Sequence, residues 1–486
     1  MDAALRRVVA GGLVVVLAMI ARAAPAQSGD VVYSEAESQL TAGTEAAAQF
    51  DEPRTNTPAG DVGAISGNAA VNIVTGTGRL GDLLGVNHDG WRLGGLAIND
   101  ANGLLSGGLG PGKWVGQSLT VVDLSYDTEK AGHWEGGSFG TQFLYYTGYG
   151  AGPVVNGIEQ HQGSPNALAG TVMGFNSLDG APPIHRAELY QAWYRQTLFD
   201  DLVQMRIGKS VPTYDFNNVT RPVATADEAY QVPSVSGAIL TPVYVNPTML
   251  GVIPGYYNSA TGVITSVTPT EHFYAQYGFY DGSLATGRQT GLEGPHFTGH
   301  YLHLAEVGAT WFFGPDRLPG SFGIGGWAQT GALRGFSGQT IHGAQGMYLF
   351  GSQRLYFEDP GRTHDGLSFF YQFGATDADI VMTHRYFGCG LTYFGPLPNR
   401  SGDSLGFALA LGKMNSDPNA GKVFYAGYGP GPAPLGSQEL MMTWYYQIDL
   451  EKGRFLQPNL SYIPDPARIP GTPAALALTI QAVMLF

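Results

Sequence analysis

Charge is scarce in this chain, cysteine is nearly absent, and no apolar run is long enough to cross a bilayer as a helix. Only 13% of the 486 residues are Asp, Glu, Lys or Arg, against about a quarter in ordinary globular chains. The single cysteine, Cys389, excludes a disulfide framework and any thiolate-rich metal or iron–sulfur centre. Its plain reading is a small strand residue. Basic residues number 25 against 39 acidic ones, giving a net charge of -14 and an isoelectric point near 5.1. Nucleic acid is thereby excluded as a partner, because phosphates need a concentrated basic face. Polytopic helical membrane proteins need repeated apolar runs of about 20 residues, which a mean hydropathy of -0.04 does not supply. What the chain does have is 71 Gly, 26 Tyr and 24 Phe, an aromatic content that argues against disorder.

The first residues read as an export signal. Arg6 and Arg7 precede an apolar stretch from Val8 to Ile20, and Ala24-Pro25-Ala26 follows as an A-x-A cleavage pattern. Residues 1–26 are expected to be removed as a signal peptide, which leaves a mature charge of about -16. Residues 27–75, rich in Ala, Gly, Thr and Ser, read as a poorly structured leader. Residues 76–486 read as the main domain.

Beyond Leu80, short segments of alternating apolar and polar residues recur between Gly, Pro, Asn and Asp clusters. Val122, Leu124 and Tyr126 oppose Asp123, Ser125 and Asp127; Val203, Met205 and Ile207 oppose Gln204 and Arg206. Phe273, Ala275, Tyr277 and Phe279 oppose His272, Tyr274 and Gln276. Leu440, Met442, Trp444, Tyr446 and Ile448 oppose Thr443, Tyr445, Gln447 and Asp449. Leu456, Leu460 and Tyr462 likewise oppose Gln457, Asn459 and Ser461. Phe139 to Thr147 is mixed. A soluble sandwich would bury the apolar face in a core, whereas an outer-membrane barrel turns it to lipid.

Three features favour the barrel. Tyrosines stand at segment ends, as at Tyr126, Tyr280 and Tyr462, where interfacial girdles require them. A lipid-facing exterior accounts for the shortage of Lys and Arg. A final apolar face, Leu476, Leu478, Ile480, Ala482, Met484 and Phe486, is suited to closing a ring against the first strand. The expected fold is all-β: a transmembrane antiparallel up-and-down barrel behind a short leader.

Longer stretches point to one family. Trp91 to Gly112, Gly174 to Leu178, Glu188 to Val219, Val245 to Asn258 and Leu349 to Leu355 resemble, in order, the carbohydrate-selective porin family OprB. The resemblance covers roughly residues 70–486 and implies a sixteen-stranded outer-membrane barrel that passes glucose-type sugars by diffusion. No cofactor is expected.

Motifs of soluble enzymes are weak here. Gly76-Thr77-Gly78-Arg79-Leu80-Gly81 fits G-x-G-x-x-G, with Asp100 downstream, but the following helix, Leu80 to Leu84, is stopped by Gly85. A short helix ahead of the barrel is the better reading. Gly136-Gly137-Ser138-Phe139-Gly140 fits G-x-S-x-G, yet a turn and a strand surround it instead of a strand and a helix. His296 and His300 flank a loop, so no metal site is assigned. Calcium at loop carboxylates leaves no clear trace in a sequence.

Candidate site residues lie on polar strand faces. With Tyr190, Ala192 and Tyr194 toward lipid, Gln191, Trp193 and Arg195 turn inward. Across the turn at Phe199-Asp200-Asp201, Gln204 and Arg206 join them. An indole stacks on the C–H face of a pyranose, and a guanidinium donates paired hydrogen bonds to adjacent hydroxyls. Arg195 and Arg206 either meet solute in this way or pair with acidic residues to brace the wall. Arg92 and Asp100, with Lys113 and Trp114, either line the pore or, for the first two, form a structural pair.

Selectivity needs a narrowing, so loops must fold inward. Two weakly alternating regions are available, Ala151 to Pro183 and Thr220 to Pro269, with Lys209 to Asn218 capping the same mouth. Binding must stay weak for conduction. Expected partners are mono- or oligosaccharides and outer-membrane lipid, in a monomer or a homotrimer. Alternatives are a non-selective diffusion pore and a barrel enzyme using Ser138 with a loop histidine.

Overall fold

Two-residue alternation in the sequence becomes two faces of one wall. The computed structural model describes residues 76–155, 158–159, 163–176, 178–179, 185–200, 202–219, 246–249, 252–253, 258–270, 272–283, 289–316, 318–359, 365–422 and 434–486. The signal segment 1–26 and the leader 27–75 lie outside the described residues.

In chain order the strands are β1 (Trp91–Ser106), β2 (Trp114–Asp127), β3 (Gly137–Tyr149), β4 (Val154–Val155), β5 (Ile158–Glu159) and β6 (His185–Leu198). Then follow β7 (Val203–Ser210), β8 (Ala260–Thr270), β9 (Phe273–Asp281), β10 (Tyr301–Phe313), β11 (Leu318–Arg334) and β12 (Thr340–Phe357). The last are β13 (Gly366–Thr376), β14 (Thr383–Phe394), β15 (Ser404–Met414), β16 (Gln438–Asp449), β17 (Arg454–Ile463) and β18 (Ala475–Leu485). β4 and β5 form a separate two-stranded ribbon. Among the described residues, the other sixteen strands form a closed antiparallel barrel, each paired to its neighbours in sequence and β1 to β18.

The alternation assigns the faces. On β16, Glu439, Met441, Thr443, Tyr445 and Gln447 are buried inside, while Trp444 outside is 42% exposed. On β13, Ser368, Phe370, Gln372 and Thr376 are buried inside between the outward Leu367, Phe369, Tyr371 and Phe373. Membrane-facing rings meet at the short-turn end, with Trp91 4.6 Å from Tyr126 and Phe139 4.8 Å from Tyr194. That is an interfacial girdle. Tyr280, expected in the girdle, is instead wholly buried on the inner face, in phase with Tyr274 and Gln276.

Closure occurs where the final strand predicted it. Gly95 N–H donates to the Phe486 carbonyl at 2.7 Å, and Phe486 N–H donates back to the Gly95 carbonyl at 2.8 Å. Gly95 has φ +152, and a Cβ there would lie 2.2 Å from the Val121 carbonyl oxygen. Glycine alone fits so close an approach. The G-x-G-x-x-G stretch serves this seam: the Gly76 carbonyl accepts Arg92 Nη2 at 2.8 Å, and helix α1 (Arg79–Leu84) ends at Gly85 in a left-handed cap. The short pre-barrel helix is therefore present.

One expectation about loops fails. Thr220 to Pro269 contains a strand, β8, from Ala260 onward. Its period-two signal is masked because Thr261 and Thr265 occupy the outer face while Ile264 is buried inside. Residues 220–245 of that region lie outside the described residues.

Candidate functional site

The polar patch expected on β6 and β7 forms, but through a bulge that the alternation did not reveal. Gln142 faces Gln191 and Phe143 faces Leu189, so Tyr190 is an extra residue in β6. A bulge shifts the phase by one. On the long-loop side of it Arg186, Glu188 and Tyr190 point inward; on the short-turn side Gln191, Arg195 and Thr197 do. Tyr190, expected toward lipid, is buried at 1% exposure, and its hydroxyl bonds to Tyr214 at 3.3 Å.

Below the bulge the side chains assemble as a platform. Trp193 lies over Gly140 on β3, where a Cβ would come within 2.3 Å of the indole; only a glycine there leaves room for the ring. The Arg206 guanidinium sits 5.7 Å above the Trp193 ring, a cation–π contact. Arg195 Nε donates to Ser138 Oγ at 3.0 Å, and Arg195 and Arg206 face each other across the β6–β7 ladder. Gln204 takes its place opposite Thr197, on the same inner face as Arg206. Gln191 belongs to a brace: its amide donates to Gln142, Gln142 donates to Asp123 at 3.0 Å, and Asp123 lies 3.7 Å from Arg92.

The chain then turns into the lumen after β7. A single 3-10 turn, Pro212–Tyr214, delivers Asp215 to Arg206, and the two form an ion pair. Glu306, on β10, holds this loop from another part of the wall. Its carboxylate accepts Asn217 N–H at 2.7 Å, the hydroxyls of Tyr274 and Tyr348 at 2.8 and 2.9 Å, and Gln276 Nε2 at 2.8 Å. The same Gln276 nitrogen donates to the Asp215 carbonyl at 2.8 Å. Four donors on one buried carboxylate make a rigid anchor.

A second loop, between β3 and β6, is anchored in the same way. Glu439 on β16 accepts Thr171 Oγ1, Val172 N–H at 2.9 Å, Met173 N–H at 2.9 Å and, from the β17–β18 connection, Ala467 N–H at 2.7 Å. Asn176 Nδ2 donates at 2.7 Å to both Asp100 and Asn102 on β1. Within the loop, helix α2 (Pro165–Ala169) is capped by Ser164, whose hydroxyl in turn donates to Asp179 at 2.6 Å. Burial pushes the Asp179 carboxyl up to about 7, against the hydrogen bonds from Ser164 and Asn166 that pull it down. The Ala151 to Pro183 region is thus held against the inner face at Thr171, Val172, Met173 and Asn176, whereas the end of Thr220 to Pro269 is the wall strand β8.

Three placements differ from the sequence reading. Arg92 and Asp100 do not pair: Arg92 lies 3.7 Å from Asp123 and bonds Gly76, while Asp100 accepts Asn176 and Gln481. They stand eight residues apart on β1, beyond reach of each other along a strand. Trp114 is 51% exposed on the outer face, so it does not line the pore, and Lys113 bonds the Gly152 carbonyl of the inward loop. Ser138, the second residue of β3, is 1% exposed and its hydroxyl accepts Arg195 Nε, so it is engaged in the wall.

The carboxylate anchors escaped the sequence reading. Their only local trace is an acidic residue on the inner face of an alternating segment, at Glu306 and Glu439. Their partners lie far away in the chain.

A groove of about 590 Å³ is lined by the girdle residues Trp91, Tyr126 and Phe139 with Ala192 and Ile207, and also by Gly140 and Trp193.

Residues 120–481 match the sequence model of the family described as carbohydrate-selective porin, OprB family. No curated protein sequence matches the chain. Among solved structures, OprB of Pseudomonas putida at high pH is similar with a TM-score of 0.64 at 18% identity, covering 84% of this chain and 96% of that one. Its low-pH structure gives 0.51 at 15% identity, covering 84% of this chain and 96% of that one. At these identities the likeness is one of fold.

Proposed function

The chain belongs to the carbohydrate-selective porin family OprB, and from that premise we propose which of its side chains do the selecting. It is an outer-membrane porin through which sugars diffuse passively, a channel rather than an enzyme. In outer-membrane barrels the long loops face outward from the cell and the short turns face the periplasm. A sugar therefore enters past the two anchored loops and leaves toward β1 and the periplasmic turns.

Trp193, Arg206, Arg195 and Gln204 are the proposed contacts. The observation that supports this most is the Trp193–Arg206 stack at 5.7 Å, because it sets a flat apolar ring beside a planar donor. A pyranose offers the complement, a C–H face and a rim of hydroxyls. Gln191 and Arg92 form the frame beside this patch, each engaged by wall neighbours, while Asp100 serves farther along β1 as an acceptor for the inward loop. Both earlier readings of the guanidiniums then hold together: Arg206 is braced by Asp215 and still stacked where solute passes.

Residues 1–26 are proposed to be cleaved, 27–75 to form a leader and 76–486 the pore, working in outer-membrane lipid as a monomer or homotrimer. No catalytic activity is proposed. Planar-bilayer conductance with rising glucose, maltose and sucrose tests the reading: block by a sugar, weakened in Trp193→Ala, is expected. Equal liposome swelling in glucose and in a similarly sized amino acid would instead mark a non-selective pore.

A further inference from the structure

The charge of Arg206 is met by a side chain carried on a loop. Its partner, Asp215, stands just after the inward 3-10 turn, and their side chains keep 18% and 12% exposure. The pair is therefore neither sealed in the wall nor free in bulk water. A lone guanidinium in a narrow polar passage concentrates small anions, whereas a neighbouring carboxylate cancels that field at short range.

We propose that Asp215 is a specificity-determining residue: by neutralising Arg206 above Trp193 it keeps the platform open to uncharged polyhydroxylated solutes and unattractive to anions. The inference rests on the reading that the Trp193–Arg206 stack faces the passage. Three bonds hold Asp215 in place. Gln276 Nε2 bridges the Asp215 carbonyl and Glu306 Oε1, both at 2.8 Å. Two residues on, Asn217 N–H donates to Glu306 Oε2 at 2.7 Å. The carboxylate is thus presented from the β9–β10 wall to a cation on the β6–β7 wall. The Gln276 bond holds the Asp215 backbone, leaving its carboxylate to meet Arg206. Glu306 is accordingly a positioning residue for the charge balance of the filter.

The separation of charge from ring also explains why an arginine is useful here. Asp215 engages Nη2, while the guanidinium carbon remains 5.7 Å from the centre of the indole. A lysine ammonium would satisfy the carboxylate but offer no plane.

The test is ion selectivity of the full-length protein in planar bilayers under a KCl gradient, with sugar block measured on the same channels. Asp215→Asn is expected to raise the chloride-to-potassium permeability ratio several-fold, and Asp215→Glu to leave it near wild type. Adding Arg206→Gln to Asp215→Asn should return the ratio to the wild-type value. Arg206→Gln alone should move it the other way, toward potassium, which keeps the test available if Asp215→Asn fails to fold. Glu306→Gln should give an intermediate shift. A ratio unchanged in Asp215→Asn, or an anion preference that survives the double substitution, overturns the proposal. Absence of sugar block in the wild type, with the permeability shift intact, would instead sink the sugar-platform reading and leave the charge role of Asp215 standing.

Discussion

Glu306 and Asn217 meet inside the barrel, the backbone N–H of a loop residue donating at 2.7 Å to a carboxylate on β10. Replacing Glu306 by Ala strands that N–H together with the hydroxyls of Tyr274 and Tyr348. Each buried group left unpaired costs about 1–3 kcal/mol, so the loop should leave its seat before the barrel opens. The expected result is a noisier single-channel current and weaker sugar block, with the folded band on unheated gels retained. A quiet current with unchanged block would refute the anchor.

Glu439→Ala should release the other inward loop, because Val172, Met173 and Ala467 lose their common acceptor. Protease added to intact cells is expected to nick within residues 150–184 in the variant far faster than in the wild type. Equal cleavage rates would show that the loop is held by other contacts.

Trp193→Ala removes the stacking surface. Aromatic contacts of this kind are worth about 0.5–1.5 kcal/mol, so the sugar concentration for half block should rise roughly two- to tenfold. Trp193→Phe should fall between. The control is Trp114→Ala, whose side chain is on the outer face and whose loss should leave block unchanged.

Gly95→Val places a branched side chain against the Val121 carbonyl and the Phe486 ring at a φ of +152. Strand closure should fail, and the heat-modifiable folded species should disappear during refolding into detergent. Recovery of wild-type yields would mean the seam tolerates a Cβ.

Asp179 gives a pH signature. Its folded value, pushed up to about 7 by burial, lies above the unfolded one. The protonated carboxyl therefore favours the docked loop: this contribution is complete below the unfolded value and is lost as pH rises through about 7. Amide exchange around Asn166, corrected for its intrinsic pH dependence, should accelerate between pH 6 and 8 in the wild type. Asp179→Asn should flatten that profile, and a flat wild-type profile would remove Asp179 from the account.

The faces of β2, β7, β16, β17 and β18 were legible because a single rule, lipid outside and polar inside, operates on every second residue. The same rule misplaced Tyr190, since a bulge is a mismatch in length between partner strands and leaves no mark on either alone. It missed β8 because threonine suits both faces. The Trp193–Arg206 patch was legible from one hairpin, whose members are close in sequence. Asp215, Glu306 and Glu439 were not, because their roles arise from pairings between a loop and a wall far from it in the chain. The Arg92–Asp100 alternative failed for a related reason: Asp123 on the next strand lies 3.7 Å from Arg92, whereas Asp100 is eight residues away along its own strand.

The seam joining Gly95 to Phe486 also dictates an order of events. Thr77 and Leu485, hydrogen-bonded beside it, are 408 positions apart, so the ring cannot shut until almost the entire polypeptide has been delivered. Every nascent species before that moment exposes two unsatisfied flanks able to recruit a stranger. Pairing of the last strand with the first removes both flanks at once.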